Sequence, residues 1–129
     1  MTPVSTKSLW AARIVGGLAV MFLVLDGVAK LLALPPVVEG TISLGYPASL
    51  VVAIGVVEIV CLAAYVVPRT SVLGALLLTG YLGGAVATHV RIGSPLFTHV
   101  LFPTYIALLV WGALFLRDPR VRALIPLRA

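Results

Sequence analysis

The sequence predicts an all-α fold, an integral membrane four-helix up-down bundle. Three observations carry that reading: four apolar runs of spanning length, a scarcity of charge, and bases gathered at the ends of the runs. Of the 129 residues, 61% are hydrophobic and only 10% charged, where a soluble domain is nearer a quarter charged. Four acids, nine bases and two histidines cannot clothe a soluble fold of this size, since so much of a small domain is surface. The placement of the bases also speaks against nucleic acid as a partner. Seven of the nine (Lys7, Arg13, Arg69, Arg117, Arg120, Arg122 and Arg128) flank apolar runs, as in membrane proteins. No basic stripe is interleaved with aromatics in the manner of a strand-binding groove.

The runs cover residues 10–34, 48–67, 72–90 and 96–116, each near the roughly 20 residues a helix needs to cross the hydrocarbon. Lipid offers no partner to a free backbone group, so each run is expected to be helical. The breaks carry turn chemistry: "LPPVVEGTISLGYP", "PRTS" and "RIGSP". The first run opens like a signal peptide, with Lys7 and Arg13 ahead of "IVGGLAVMFLVL". No small-x-small cleavage site follows and the apolar character lasts to Leu34, so a retained helix is expected. Short connections imply up-down topology, within a single domain over residues 1–129. The base count, seven against Arg91 alone, places both termini in the cytoplasm of a multi-pass protein of the inner (plasma) membrane. The first connection, with Glu39, Tyr46 and Pro47, then belongs at the outer interface.

Inside this lipophilic frame each ionisable group stands out. On the first run Ala12, Gly16, Ala19, Leu23, Asp26 and Lys30 recur at steps of three or four and share one face. Small residues there admit a close neighbour, and Asp26 and Lys30 are spaced to bridge. The second run carries Gly55, Glu58, Cys61 and Tyr65 on a comparable stripe. A central acid costs ~2.5–3.5 kcal/mol on insertion scales, so Glu58 is expected to be protonated or paired, and Lys30 is the partner nearest in depth. The lone Cys61 excludes an intrachain disulfide and reads as a small packing residue. On the third run Gly80 and Gly84, extended by Thr88, read as a small-xxx-small helix contact, with Tyr81 and Thr88 on one face and His89 and Arg91 at the outer end. The fourth run brings His99 to that level, with Thr98, Phe102 and Tyr105 on one side. Pro103 is expected to kink this helix and free a carbonyl. No His-x-x-x-His or Glu-x-x-His pair supports a metal site.

"GYLGGAVATHVRIGSP", with "DGVAKL" and "GVVEI" upstream, resembles the DoxX-like family of small bacterial four-helix membrane proteins over roughly residues 13–116. The resemblance implies that Gly27, Lys30, Glu58, Gly83, Gly84, His89 and Arg91 fall on recurring positions. It implies links to quinone-coupled sulfur oxidation and to oxidative or thiol stress, while most relatives have no defined activity. Asp26 enters on depth alone.

Three functions compete. The leading one is a membrane subunit that binds a quinone or similar lipophilic small molecule and works with a soluble or membrane redox partner in a redox or stress-response system. If it catalyses, it does so as a quinone-using subunit of an oxidoreductase. Candidate chemical residues are Glu58, Lys30, Asp26 and His89, with Tyr81, Thr88, Arg91, His99, Phe102 and Tyr105 binding the ligand. Quinone is the one cofactor suggested; no haem, flavin, iron–sulfur or metal motif is present. The second function is a non-catalytic assembly or scaffold protein using the glycine-rich third run, and the third a small proton-coupled exporter built on Glu58. The bilayer is a partner in every case, and a homo-oligomer is compatible with each.

Overall fold

A computed structural model describes residues 4–124 of the chain; Arg128, counted above among the flanking bases, lies outside them. Among the described residues there are six α-helices: α1 (Thr6–Leu31), α2 (Pro35–Ser43), α3 (Val51–Val66), α4 (Ser71–Arg91), α5 (Phe102–Arg117) and α6 (Pro119–Leu124). A 3₁₀ turn leads into each of α3 and α4, and a π-helical turn, Leu96–Val100, leads into α5. With these lead-ins four segments are long and apolar enough to cross a membrane. The four expected spans are therefore present, and most of their surface faces outward as bare hydrocarbon, Leu25 and Leu108 for example.

Each long helix has a local reason to start and stop. Ser5 caps α1 by accepting the Ser8 amide at 3.1 Å. Past Leu31 the chain reverses through Ala33, whose left-handed φ of 49° lets the Leu34 amide reach back to the Ala29 carbonyl at 3.1 Å. Pro35 and Pro36 then occupy the first turn of α2, where a missing amide costs nothing. The sequence reading took this stretch for a connection, and the structure corrects it: the prolines start a nine-residue helix instead of breaking one. Pro103 is corrected in the same sense. The helix expected to run on from residue 96 breaks at the π-helical turn, and α5 begins afresh at Phe102, so Pro103 is a first-turn proline. The Leu101 amide is drawn to the Leu96 carbonyl, and the Phe97 carbonyl receives the Tyr105 hydroxyl at 2.9 Å instead. From α6, Arg122 binds the Ser8 hydroxyl and the Leu116 carbonyl, each at 2.8 Å.

Around the bundle α1 packs on α3 and α5, and α4 packs on the same two, so α1 and α4 face each other diagonally. The expected stripes are the buried ones. Ala12, Ala19, Leu23 and Gly27 are buried on α1, and Gly55, Glu58, Cys61 and Tyr65 on α3. Without a hydrophobic drive between helices in lipid, close van der Waals packing and interhelical hydrogen bonds hold such a core. Tyr65 supplies one, donating to the Val110 carbonyl at 2.8 Å. The expected contact glycines of the third run are a correction. A methyl group built on either of the expected pair, Gly80 and Gly84, would meet nothing within 4 Å, whereas one on Gly74 would collide with the Tyr65 backbone and one on Gly55 would lie 3.1 Å from the Leu31 amide nitrogen. Close approach is therefore made through Gly55 and Gly74.

The two classes of glycine predict opposite substitution effects. Gly74→Ala is expected to destabilise the bundle by about 1–3 kcal/mol through overpacking. Gly80→Ala is expected to be neutral or stabilising by roughly 0.5–1 kcal/mol, because alanine is the better helix former. Thermal unfolding in detergent, followed by circular dichroism, distinguishes them. Equal effects would show that the α3–α4 hairpin does not close at Gly74.

Candidate functional site

Asp26 and Lys30 stand one turn apart on the inward face of α1, and Glu58 stands on the buried stripe of α3. Gly27 and Gly55 allow these two helices to touch: a methyl on Gly55 would come within 2.8 Å of Lys30 Cβ. The ammonium of Lys30 consequently reaches both acids. It pairs with Asp26 Oδ2 and lies 3.2 Å from Glu58 Oε1. Its third proton goes to the Tyr81 hydroxyl of α4 at 2.9 Å, and Tyr81 in turn donates to Glu58 Oε1 at 3.3 Å. The expected network of one cation between two carboxylates is thus present, with a phenol from across the bundle added. All three Lys30 protons are committed, while two acids outnumber one base.

Glu58 is 1% exposed, and its second oxygen, Oε2, is buried with no hydrogen-bond partner. A lone polar atom at this depth is expensive. It is also the feature that distinguishes this network from a closed structural salt bridge.

The network forms part of the wall of a cavity of about 720 Å³ between α1, α3, α4 and the start of α5, within the usual size range of small-molecule sites. Phe22, Leu23, Ile54, Val57, Phe102 and Ile106 make apolar walls, and Phe22 meets Phe102 edge to face with ring centroids 5.1 Å apart. A second polar group lies nearer α2. Thr88 bonds the Gly84 carbonyl at 2.8 Å and the Tyr46 hydroxyl at 3.1 Å. His89 Nδ1 pairs with the Ser94 hydroxyl at 3.0 Å and His99 Nδ1 with Thr98 at 2.8 Å. The two imidazole rings lie edge to face, 5.9 Å apart. Among the described residues no three His, Cys, Asp or Glu side chains come together as a metal site would need.

Of the sequence-derived candidates, Asp26, Lys30, Glu58, Tyr81, Thr88, His89, His99 and Phe102 all line this cavity. Tyr105 and Arg91 are not among its lining residues. Tyr105 is turned away by its bond to the Phe97 carbonyl. The Arg91 guanidinium donates to the Leu44 carbonyl at 2.7 Å, where Gly45, at a φ of 94°, leaves room for it. Arg91 thereby ties α4 to the end of α2, which covers the cavity with Val37, Gly40, Thr41 and Leu44. Sequence reasoning missed Phe22, Tyr46 and α2 itself. Phe22 was findable, since it precedes Asp26 by one turn on the same face.

The sequence profile of the DoxX-like family matches residues 14–113. The chain belongs to the DoxX-like family, and with its four spanning helices it is a multi-pass membrane protein. No curated protein and no solved structure matches it.

The network makes a stability prediction. Lys30→Met removes the cation that two acids share and is expected to cost about 3–5 kcal/mol, the scale for one partner lost from a buried pair. Combining it with Asp26→Asn should cost less than Lys30→Met alone, because the second change removes an unpaired charge. Denaturant unfolding of the single and double variants in detergent provides the cycle. Additive losses would show that Asp26 and Lys30 do not interact.

Proposed function

We propose that this member of the DoxX-like family binds a lipophilic small molecule with a hydrogen-bonding ring group, a quinone being the class that fits best. In this reading it serves as the membrane subunit of a redox or stress-response system. The observation that carries the proposal is the unpartnered Oε2 of Glu58 on the wall of an apolar cavity. Lys30 and Tyr81 hold Oε1 in place, so the free oxygen has a defined position rather than a mobile one. Ionised, it accepts from a ring hydroxyl. Protonated, it donates to a ring carbonyl. One side chain can thus hydrogen-bond either form of such a ligand, its role as donor or acceptor set by its own protonation, while the electrons that interconvert the two forms come from the redox partner. Phe22 and Phe102 supply aromatic edges for the ring. The polar group of Thr88, His89 and His99 lies about two helical turns from Tyr81, roughly 10 Å along α4, beyond the span of a single ring. It is therefore assigned to the entrance, below α2. By the base count this is the outer side of the membrane, with both termini cytoplasmic.

The scaffold reading retains one observation of its own. Gly80 and Gly83 are open on the outward surface of α4, where another helix could approach. The exporter reading has no such support.

Glu58→Gln discriminates between the ligand-binding and scaffold readings. The amide fits the same space, so the melting temperature should hold within a few degrees. Affinity for a quinone analogue should fall about tenfold or more, the scale of a lost hydrogen bond to a charged group. Calorimetric titration of the detergent-solubilised protein measures it. Unchanged affinity, or no binding by the parent protein, would leave the scaffold reading ahead.

A further inference from the structure

The opposite end of the bundle has a recess of a different kind. Where the start of α1 meets the ends of α3 and α5, a second cavity of about 330 Å³ opens beside Gly16, Gly17, Val20 and Ala113, with Arg13 and Arg117 on its rim. The slot has a sequence cause. Gly16 lets α1 approach α5, since a methyl there would lie 3.1 Å from Ala113 Cβ, but Gly17 is exposed and a methyl on it would meet nothing within 4 Å. One glycine closes the helix pair and the next leaves a furrow.

The charge around this slot is lopsided. Lys7, Arg13, Arg69, Arg117, Arg120 and Arg122 occupy this end, and Asp118 is the one acid with them among the described residues. Asp118 is engaged by Arg120, whose Nε lies 3.4 Å from its Oδ1. Arg13 rests over the Trp10 ring at 5.1 Å and Arg117 donates to the Ser71 hydroxyl at 2.8 Å. Among the described residues neither guanidinium has a carboxylate partner. Two guanidiniums beside an apolar furrow at a helix-end level match a molecule with a phosphate and a hydrocarbon chain. Guanidinium is the side chain best shaped to grip phosphate oxygens in pairs, and Trp10 is of the kind that anchors at the headgroup level. Basic pockets between spanning helices are a known form of anionic-lipid site.

We propose that this slot binds an anionic phospholipid, with its phosphate shared by Arg13 and Arg117 and one acyl chain lying along Gly16 and Gly17. The site is independent of the Glu58 cavity. Its occupant would seat the α1, α3 and α5 ends in the leaflet that the base count assigns to the cytoplasm.

Native mass spectrometry of the whole chain, gently extracted and exchanged against phosphatidylglycerol or phosphatidylcholine, tests the proposal. The parent protein should retain phosphatidylglycerol in preference. Arg13→Gln should lower that retention roughly fivefold, the effect of one base near an anionic surface, and Gly17→Leu should lower it similarly by filling the furrow. Both positions are exposed, so each variant should fold, and each should bind a quinone analogue as the parent does. Equal retention of the two lipids, or undiminished phosphatidylglycerol in either variant, overturns the site. Displacement of the lipid by excess inorganic phosphate also overturns it, by assigning the guanidiniums to a soluble anion.

Discussion

The ammonium of Lys30 is the point on which this bundle turns. It joins an acid of its own helix, an acid of α3 and a phenol of α4, and α1 and α4 otherwise face each other only diagonally. Lipid cannot solvate any of these groups, so each must find its partner within the protein. That requirement dictates the sequence around them. Gly27 and Gly55 exist where α1 and α3 must close for Lys30 to reach Glu58, and a side chain at either position would meet Ile59 or Lys30. Lower in the bundle Gly74 does the same for the α3–α4 hairpin, and the Ser71 hydroxyl and the Tyr65 carbonyl stitch it shut.

The same network leaves an opening. Lys30 and Tyr81 both converge on Glu58 Oε1 and Lys30 also holds Asp26, but neither reaches Oε2. Buried side chains such as Leu62, Tyr65, Leu78, Val110 and Leu114 fill the bundle towards α6, whereas Leu23, Leu82 and Ile106 pack on that core with one side and face the cavity with the other. The break in the fourth span contributes to that cavity. By starting α5 anew at Phe102, the π-helical turn swings His99 and Phe102 onto the cavity wall while Tyr105 turns elsewhere. π-helical turns are frequent at functional sites. Across the top, α2 is held by Arg91 and by the Tyr46–Thr88 hydrogen bond.

Much of this was legible in the sequence because spanning helices obey strong rules. Length and apolarity marked the four spans, and the period of 3.6 placed Asp26, Lys30, Glu58, Cys61 and Tyr65 on buried faces. Depth alone paired Lys30 with Glu58, since two helices joined at one end bring similar distances from that end together. The misses share a physical cause. Proline and glycine are ambiguous until the helix boundary is known. Pro35 and Pro36 read as a break when they were a beginning, and Pro103 read as a kink when it was a first turn. Gly80 and Gly84 have the spacing of a helix contact, but spacing cannot say whether a neighbour is there. Glu58 Oε2 was beyond any sequence reading, because it depends on which of two carboxylate oxygens the lysine and the tyrosine choose.

The central claim is that this free oxygen meets the ligand. Infrared difference spectroscopy of the membrane-embedded protein, with and without a quinone analogue, tests it most directly. The account predicts a change in the carboxyl stretching region on binding that is absent from Glu58→Gln and persists in Gly17→Leu. Binding of the analogue with no carboxyl change, or with the same change in Glu58→Gln, would contradict it.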